Sequence, residues 1–241
     1  MTPWKLHSFT GAQPLVDAVA LRWLSELAQT QNTSFSAALS GGRIAHEFFK
    51  TVAMQVATRH VSLHKVHFFW GDERCVPPEH TESNFAAANK FLLQPLGIPE
   101  SQIHRVCGEE PPAFAAAQAE VELRRFAPLN AYGLPVLDLI FLGMGEDGHV
   151  ASLFTGESEE VMAAPAIYRA VTATKPPPQR ITLGYGAIAA ARQVWVLASG
   201  ASKEEALRES LKPEGGTPLA RMLRMREHTV IFTDIKMDGA K

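Results

Sequence analysis

Several things are scarce in this chain, and each scarcity removes a class of protein. Among 241 residues there are only two cysteines, Cys75 and Cys107, and no Cys-x-x-Cys pair. A disulfide framework is excluded, no zinc pattern is offered, and a reducing cytoplasmic setting is expected. No run of about eighteen apolar residues occurs, so no membrane span is expected. The start, Met1-Thr2-Pro3-Trp4-Lys5-Leu6-His7, lacks the apolar stretch of a signal peptide. Basic excess is missing too: the formal net charge is −2, which argues against nucleic acid or a membrane surface as partner. Any anion-binding site must therefore be local. Repeats and low-complexity tracts are absent, and the one marked interruption, Pro176-Pro177-Pro178, reads as a stiff loop. A single domain over residues 1–241 is the simplest organisation.

What is present is an alternation of two periodicities. Leu15, Val19, Leu24 and Leu27 fall at helical spacing. Phe35–Leu39 and Val66–Trp70 are short apolar runs of strand type, with a helix expected over Ile44–Val56 between them. Helices are expected over Asn84–Leu93 and Phe114–Phe126. Strands are expected at Val136–Leu142, Ala166–Val171, Arg180–Leu183, Val194–Ala198 and Thr229–Thr233. A helix running to Leu211 follows Ser199-Gly200-Ala201-Ser202-Lys203, and the tail Lys236–Lys241 is expected to fray. Strands alternating with helices predict an α/β fold, a mainly parallel Rossmann-like sheet with helices on both faces.

In such a sheet, ligands bind at the carboxyl ends of the strands, so those ends carry the functional argument. The most informative is Leu139-Ile140-Phe141-Leu142-Gly143-Met144-Gly145-Glu146-Asp147-Gly148-His149. It is an apolar run broken by glycines, with an acid and a titratable histidine at the break. Read alone, it is equally a glycine turn with a surface histidine. Ser40-Gly41-Gly42-Arg43 places glycines where backbone amides at a helix start favour an anion, and Arg43 can add a forked contact to phosphate. The Gly-Lys-Ser/Thr ending of a Walker A loop is missing. Gly71-Asp72-Glu73-Arg74 clusters two acids and an arginine, either as a solvated patch or as groups that position substrate and stabilise negative charge. Arg180 and Lys203 flank other strand ends; each alone reads as a surface charge, but with Arg43 they can form a positive pocket. Gly143-x-Gly145-x-x-Gly148 matches the spacing of a dinucleotide fingerprint. The strand expected beyond the next helix, around Ala166–Thr174, has no acid for a ribose, so that reading is rejected.

Taken together, four ordered segments resemble the 6-phosphogluconolactonase family. They are Leu39–Gly42; Phe69-Trp70-Gly71-Asp72-Glu73-Arg74 with Pro77, Glu79-His80 and Ser83-Asn84-Phe85; Gly143–Phe154; and Gln179–Leu183, with a further match over Val196–Lys203. The wider superfamily includes glucosamine-6-phosphate deaminases. These resemble Asp-Glu-Tyr where this chain has Asp72-Glu73-Arg74, and carry Asn-Glu-Pro where it reads Ser152-Leu153-Phe154-Thr155. Both differences favour the lactonase. One departure from the family is Arg43-Ile44-Ala45, where Ser or Thr and a Pro are frequent; a hydroxyl contact to phosphate is lost at position 44.

The resemblance implies metal-free, cofactor-free hydrolysis of 6-phospho-D-glucono-1,5-lactone in the oxidative pentose phosphate pathway. His149 is expected as general base, Arg74 as stabiliser of negative charge and Asp72 as an orienting acid. Asp147 is placed to orient His149 or to cap a helix starting there. Ser40, Gly41, Gly42, Arg43, Asp147, Gly148, Arg180 and Lys203 are expected to bind substrate and its phosphate. The partner is a small sugar phosphate lactone, and the chain is expected as a monomer or weak homo-oligomer. The alternatives are a deaminase or isomerase acting on an amino sugar phosphate, and a non-catalytic sugar-phosphate sensor.

Overall fold

A computed structural model describes residues 3–237, so the part of the expected frayed tail beyond 237 lies outside the described residues. Trp4–Ser8 (β1) is followed by Ala12–Gln29 (α1), Phe35–Leu39 (β2), Arg43–Arg59 (α2), Val66–Trp70 (β3) and Asp72–Arg74 (β4). Asn84–Ala88 (α3) runs on as one π-type turn over Asn89–Leu93, and Pro112–Phe126 forms α4. Then come Leu139–Gly143 (β5), Glu159–Met162 (α5), Tyr168–Thr172 (β6), Gln179–Leu183 (β7), Tyr185–Ala190 (α6) and Gln193–Ala198 (β8). Glu204–Ser210 (α7), Pro218–Arg224 (α8) and Thr229–Thr233 (β9) complete the order. Among the described residues, no helix is long and apolar enough to cross a membrane.

Six strands form one parallel sheet in the order β1-β9-β8-β5-β2-β3. Chain direction across this sheet reverses between β2 and β5, because β2 connects outward to β3 while β5 lies on its other side. Their carboxyl ends therefore flank the crevice where open α/β sheets bind ligands. The sheet is fully buried at its centre, and its faces are covered by different helices. Trp23 of α1 packs edge-on against Phe68 and Phe141 and beside Phe48 of α2. The next residue along β3, Phe69, points to the opposite face and meets Phe126 of α4. Trp23 is wholly buried, and its replacement by Ala is expected to cost about 3–5 kcal/mol.

The remaining strands form a small antiparallel sheet, β4-β7-β6. Only Gly71 separates β3 from β4, and Gly71 binds both sheets: its N–H donates to Leu39 O and its carbonyl accepts from Leu183 N. The Tyr168 hydroxyl donates to Trp70 O at 2.6 Å, a second tie between the sheets.

Besides the short helices α5, α6 and α8, which the sequence reading does not contain, three features depart from it. β1 was not expected, since Trp4-Lys5-Leu6-His7-Ser8 is largely polar; it forms as an edge strand on β9. β4 consists of three charged residues and is a strand only because β7 supplies its partners. The segment after His149 is not a helix. Gly148 and Ala151 adopt positive φ values of 79° and 50°, and the chain folds back through short bridges of Val150 to Met144 and Leu153. A dinucleotide fingerprint needs a helix there, so its absence agrees with the rejection of that reading.

Candidate active site

The carboxyl ends of β2, β3 and β5 open on one cavity of about 320 Å³. Its wall includes Ser40, Gly41, Gly42, Arg43, Asp72, Arg74, His149, Arg180 and Lys203. Nine residues singled out in five separate segments thus share one space. Asp147 and Gly148, expected at the substrate, do not form the wall. Asp147 stands behind His149. Gly148 packs against the Thr217 side chain, which a Cβ would strike.

Each wall residue is held by local structure. Gly42 takes φ 93° as the residue before α2, so the first amides of the helix, which have no carbonyl one turn back, face the crevice. His149 is fixed by Asp147, whose Oδ1 accepts from the histidine backbone N–H at 3.2 Å and contacts Nδ1 at 2.5 Å. That bond assigns the Nδ1 proton and leaves the Nε2 lone pair free. Burial raises the Asp147 pKa, but hydrogen bonds and charge from His149 outweigh it and hold the carboxyl below its ordinary value. Gly145 must be glycine: a Cβ there would collide with the His149 ring and with Asp147 Oδ1. Phe154 covers the histidine from another side, ring centres 5.1 Å apart.

Arg74 and Arg180 are directly opposite one another on β4 and β7. Like charges so placed repel, and burial together with Arg74 pushes the Arg180 guanidinium below its ordinary pKa, against Asp72 and Glu82. Arg180 is steadied by the carbonyls of Pro177 and Lys175 at 3.1 and 3.3 Å and lies over the Phe154 ring. Arg74 Nη1 donates to Glu82 O at 2.9 Å, while its buried Nε has no partner among the described residues. The other cations, Arg43 and Lys203, stand at the β2 and β8 ends. Burial, then the Arg43 charge, lower the Lys203 pKa; Glu146 and Asp234 oppose them.

Within this wall, Asp72 is 4% exposed, and from behind it Ser152 Oγ donates to its Oδ2 at 2.7 Å while Asn84 Nδ2 donates to its Oδ1 at 3.2 Å. Glu73 faces away from the cavity. Its carboxyl accepts from the backbone N–H of Arg74, Asn84 and Phe85 and from the Ser83 hydroxyl. Burial pushes it up to about 7 against those backbone donors.

The sequence reading missed Lys175 and Glu146, which also line the cavity. Lys175 precedes the proline run in a loop, where no periodicity marks an inward residue. Asn84 and Ser152 were quoted as part of motifs, yet nothing in the sequence linked them to Asp72.

Residues 11–232 match the family model for glucosamine-6-phosphate isomerases/6-phosphogluconolactonase. The chain belongs to that family. It is 36% identical over 218 residues to 6-phosphogluconolactonase of Treponema pallidum, covering 89% of this chain and 88% of the relative. To 6-phosphogluconolactonase of Haemophilus influenzae it is 35% identical over 207 residues, covering 84% and 83%. Its fold is similar to the crystal structure of 6-phosphogluconolactonase from Thermotoga maritima, with TM-score 0.79 and 28% identity over 95% of this chain and 98% of that one. The family spans isomerases and lactonases, and these relatives are named as lactonases.

Proposed function

We propose that the chain hydrolyses 6-phospho-D-glucono-1,5-lactone to 6-phospho-D-gluconate. The observation that carries this reading is a histidine with one nitrogen committed to Asp147, facing a cavity whose five cations include two separate pairs. One pair, Arg43 and Lys203 beside the amino end of α2, suits the phosphate. The other, Arg74 and Arg180, suits charge that develops at the reacting carbonyl.

His149 Nε2 takes a proton from water as the water oxygen bonds to the lactone carbonyl carbon. The carbonyl oxygen becomes an oxyanion, which Arg74 stabilises. Collapse of this intermediate breaks the bond to the ring oxygen. The imidazolium returns its proton to that oxygen, leaving a hydroxyl and a carboxylic acid that ionises. Asp147 keeps the imidazole in the right tautomer, and phosphate binding at Arg43, Lys203 and the Gly41-Gly42 backbone fixes the reacting carbon near the base.

A deaminase reading is disfavoured by the residues on the carboxyl side of the histidine. Where the deaminase-like pattern offers a glutamate as a partner in ring opening, this chain supplies Leu153 and Phe154, and Ser152 is already engaged by Asp72. We further read the chain as one catalytic unit, acting in the cytoplasm on a substrate free in solution, as a monomer or weak homo-oligomer. The test is proton release from freshly prepared lactone above its spontaneous opening. Excess release with no ammonia from glucosamine 6-phosphate is expected; ammonia release without lactone hydrolysis would overturn the reading.

A further inference from the structure

Three segments must keep a fixed separation for this chemistry: the loop bearing His149, the strand bearing Arg74 and the Gly41-Gly42 loop. They come from distant parts of the sequence and belong to two different sheets. Asp72 lies where they meet, and its surroundings are unusually complete. Ser152, three residues after His149, donates its hydroxyl to Asp72 Oδ2 at 2.7 Å. Its own backbone N–H donates to Thr182 Oγ1 of β7 at 3.1 Å, so the His149 loop is tied to both β4 and β7. From the other side, Asn84 Nδ2 donates to both Asp72 O at 2.8 Å and Asp72 Oδ1 at 3.2 Å. The Asn84 side chain also lies so close to Gly41 that any Cβ there would overlap its amide oxygen.

Asn84 is itself anchored. It is the first residue of α3, and that helix start is pinned to Glu73 by the Asn84 and Phe85 amides at 2.7 Å each and by the Ser83 hydroxyl at 3.1 Å. Ser152, Asn84, Asp72 and Glu73 are all buried, with exposures of 0, 3, 4 and 2%. Asp72 thus has a donor on each carboxylate oxygen before any substrate arrives. A buried carboxylate held in this way cannot swing, and its charge stays beside the Arg74–Arg180 pair, where it offsets part of their mutual repulsion.

We propose that Asn84 and Ser152 are positioning residues for the reaction, clamping Asp72 from opposite sides and so fixing the His149 loop, the Arg74 strand and the Gly41 loop relative to one another. The inference rests on the lactonase reading and adds residues that do not line the cavity. It requires that loss of the Ser152 clamp slow the chemical step while substrate capture by the Arg43–Lys203 pair persists, whereas loss of the Asn84 clamp also frees the Gly41 loop.

The experiment compares the wild-type protein with Ser152→Ala and Asn84→Ala in lactone hydrolysis, with thermal unfolding of each. Ser152→Ala removes a single oxygen and leaves the backbone bond to Thr182 available, so it is the deciding variant even if Asn84→Ala folds poorly. For Ser152→Ala the expected result is a fall in kcat of about tenfold or more, with KM within about twofold and a Tm within a few degrees of wild type. Asn84→Ala is expected to lower kcat likewise and to raise KM as well, because it also frees the Gly41 loop. Unchanged kcat in Ser152→Ala overturns the proposal. So does a fall explained by loss of folded protein, because Ser152 would then be merely structural. A wild-type protein that gives no excess hydrolysis overturns the lactonase reading instead.

Discussion

The two ends of the parallel sheet carry similar residue types and do different things with them. At the amino ends of β1, β8 and β9 lies a cavity of about 690 Å³, larger than the 320 Å³ space at the carboxyl ends. It too is lined by arginines, Arg22, Arg192 and Arg226, together with Trp4 and Trp195. There the guanidiniums are already occupied. Arg226 Nη1 donates to the carbonyls of Ile188, Ala189 and Ala191 and closes the end of α6. Arg22 is paired with Glu26 at 3.0 Å and lies over the Trp195 ring, and Arg192 faces Asp138 at 3.3 Å. At the carboxyl ends, Arg180 is likewise steadied through backbone carbonyls, but it stands across from another arginine, Arg74, which is paired with Glu82 at 3.4 Å. Volume and arginine content do not separate the two ends; what marks the carboxyl ends is that Arg74 and Arg180 face each other and share one space with His149.

The sharpest break of this comparison is His149→Ala. Loss of the base is expected to lower kcat by about 10²–10⁴-fold with little change in KM, read by proton release above the spontaneous rate. Near-normal turnover would remove His149 from the mechanism. Arg74→Ala comes next, with an expected loss of about 10²–10³-fold in kcat if Arg74 stabilises the oxyanion. At the opposite end, Arg226→Ala should leave kcat per folded molecule unchanged but lower stability by about 2–3 kcal/mol, measured by denaturant unfolding. An effect on kcat without one on stability would invert the assignment of the two ends.

Lys203 gives a smaller, pH-dependent signal. Its pKa is lowered, so its charge is lost at a lower pH than for an ordinary lysine. Inhibition by inorganic phosphate should therefore weaken as pH rises toward the usual lysine range, and Lys203→Ala should raise KM about tenfold with kcat largely kept. Inhibition that is flat with pH would place the phosphate elsewhere. Least of all, Arg22→Ala should cost about 1 kcal/mol in stability and nothing in activity, since its ion pair with Glu26 is partly exposed.

Much of the fold can be read along the chain because its signals are local. β2, β3 and β9 have the bounds expected from their apolar runs. α1 buries Leu15, Val19, Leu24 and Leu27 as their spacing requires. β4 and β1 could not be read this way, because both are polar segments made into strands by partners far away in sequence. The same limit applies at the site. The sequence marked His149, Asp147 and the glycines around them as a unit, since their contacts span only a few residues. It did not tie Ser152 or Asn84 to Asp72, because those links run across 80 and 12 positions.

By itself, then, the sequence determined the alternation of strands and helices, the breaks at strand ends and the chemical types that stand at those breaks, because periodicity and turn chemistry act over a few residues. Tertiary structure alone decided that the breaks after β2 and β5 flank one crevice, that Arg74 faces Arg180, and that Arg226 closes the end of α6. Those outcomes depend on strand order and register, which are set by packing the whole core at once.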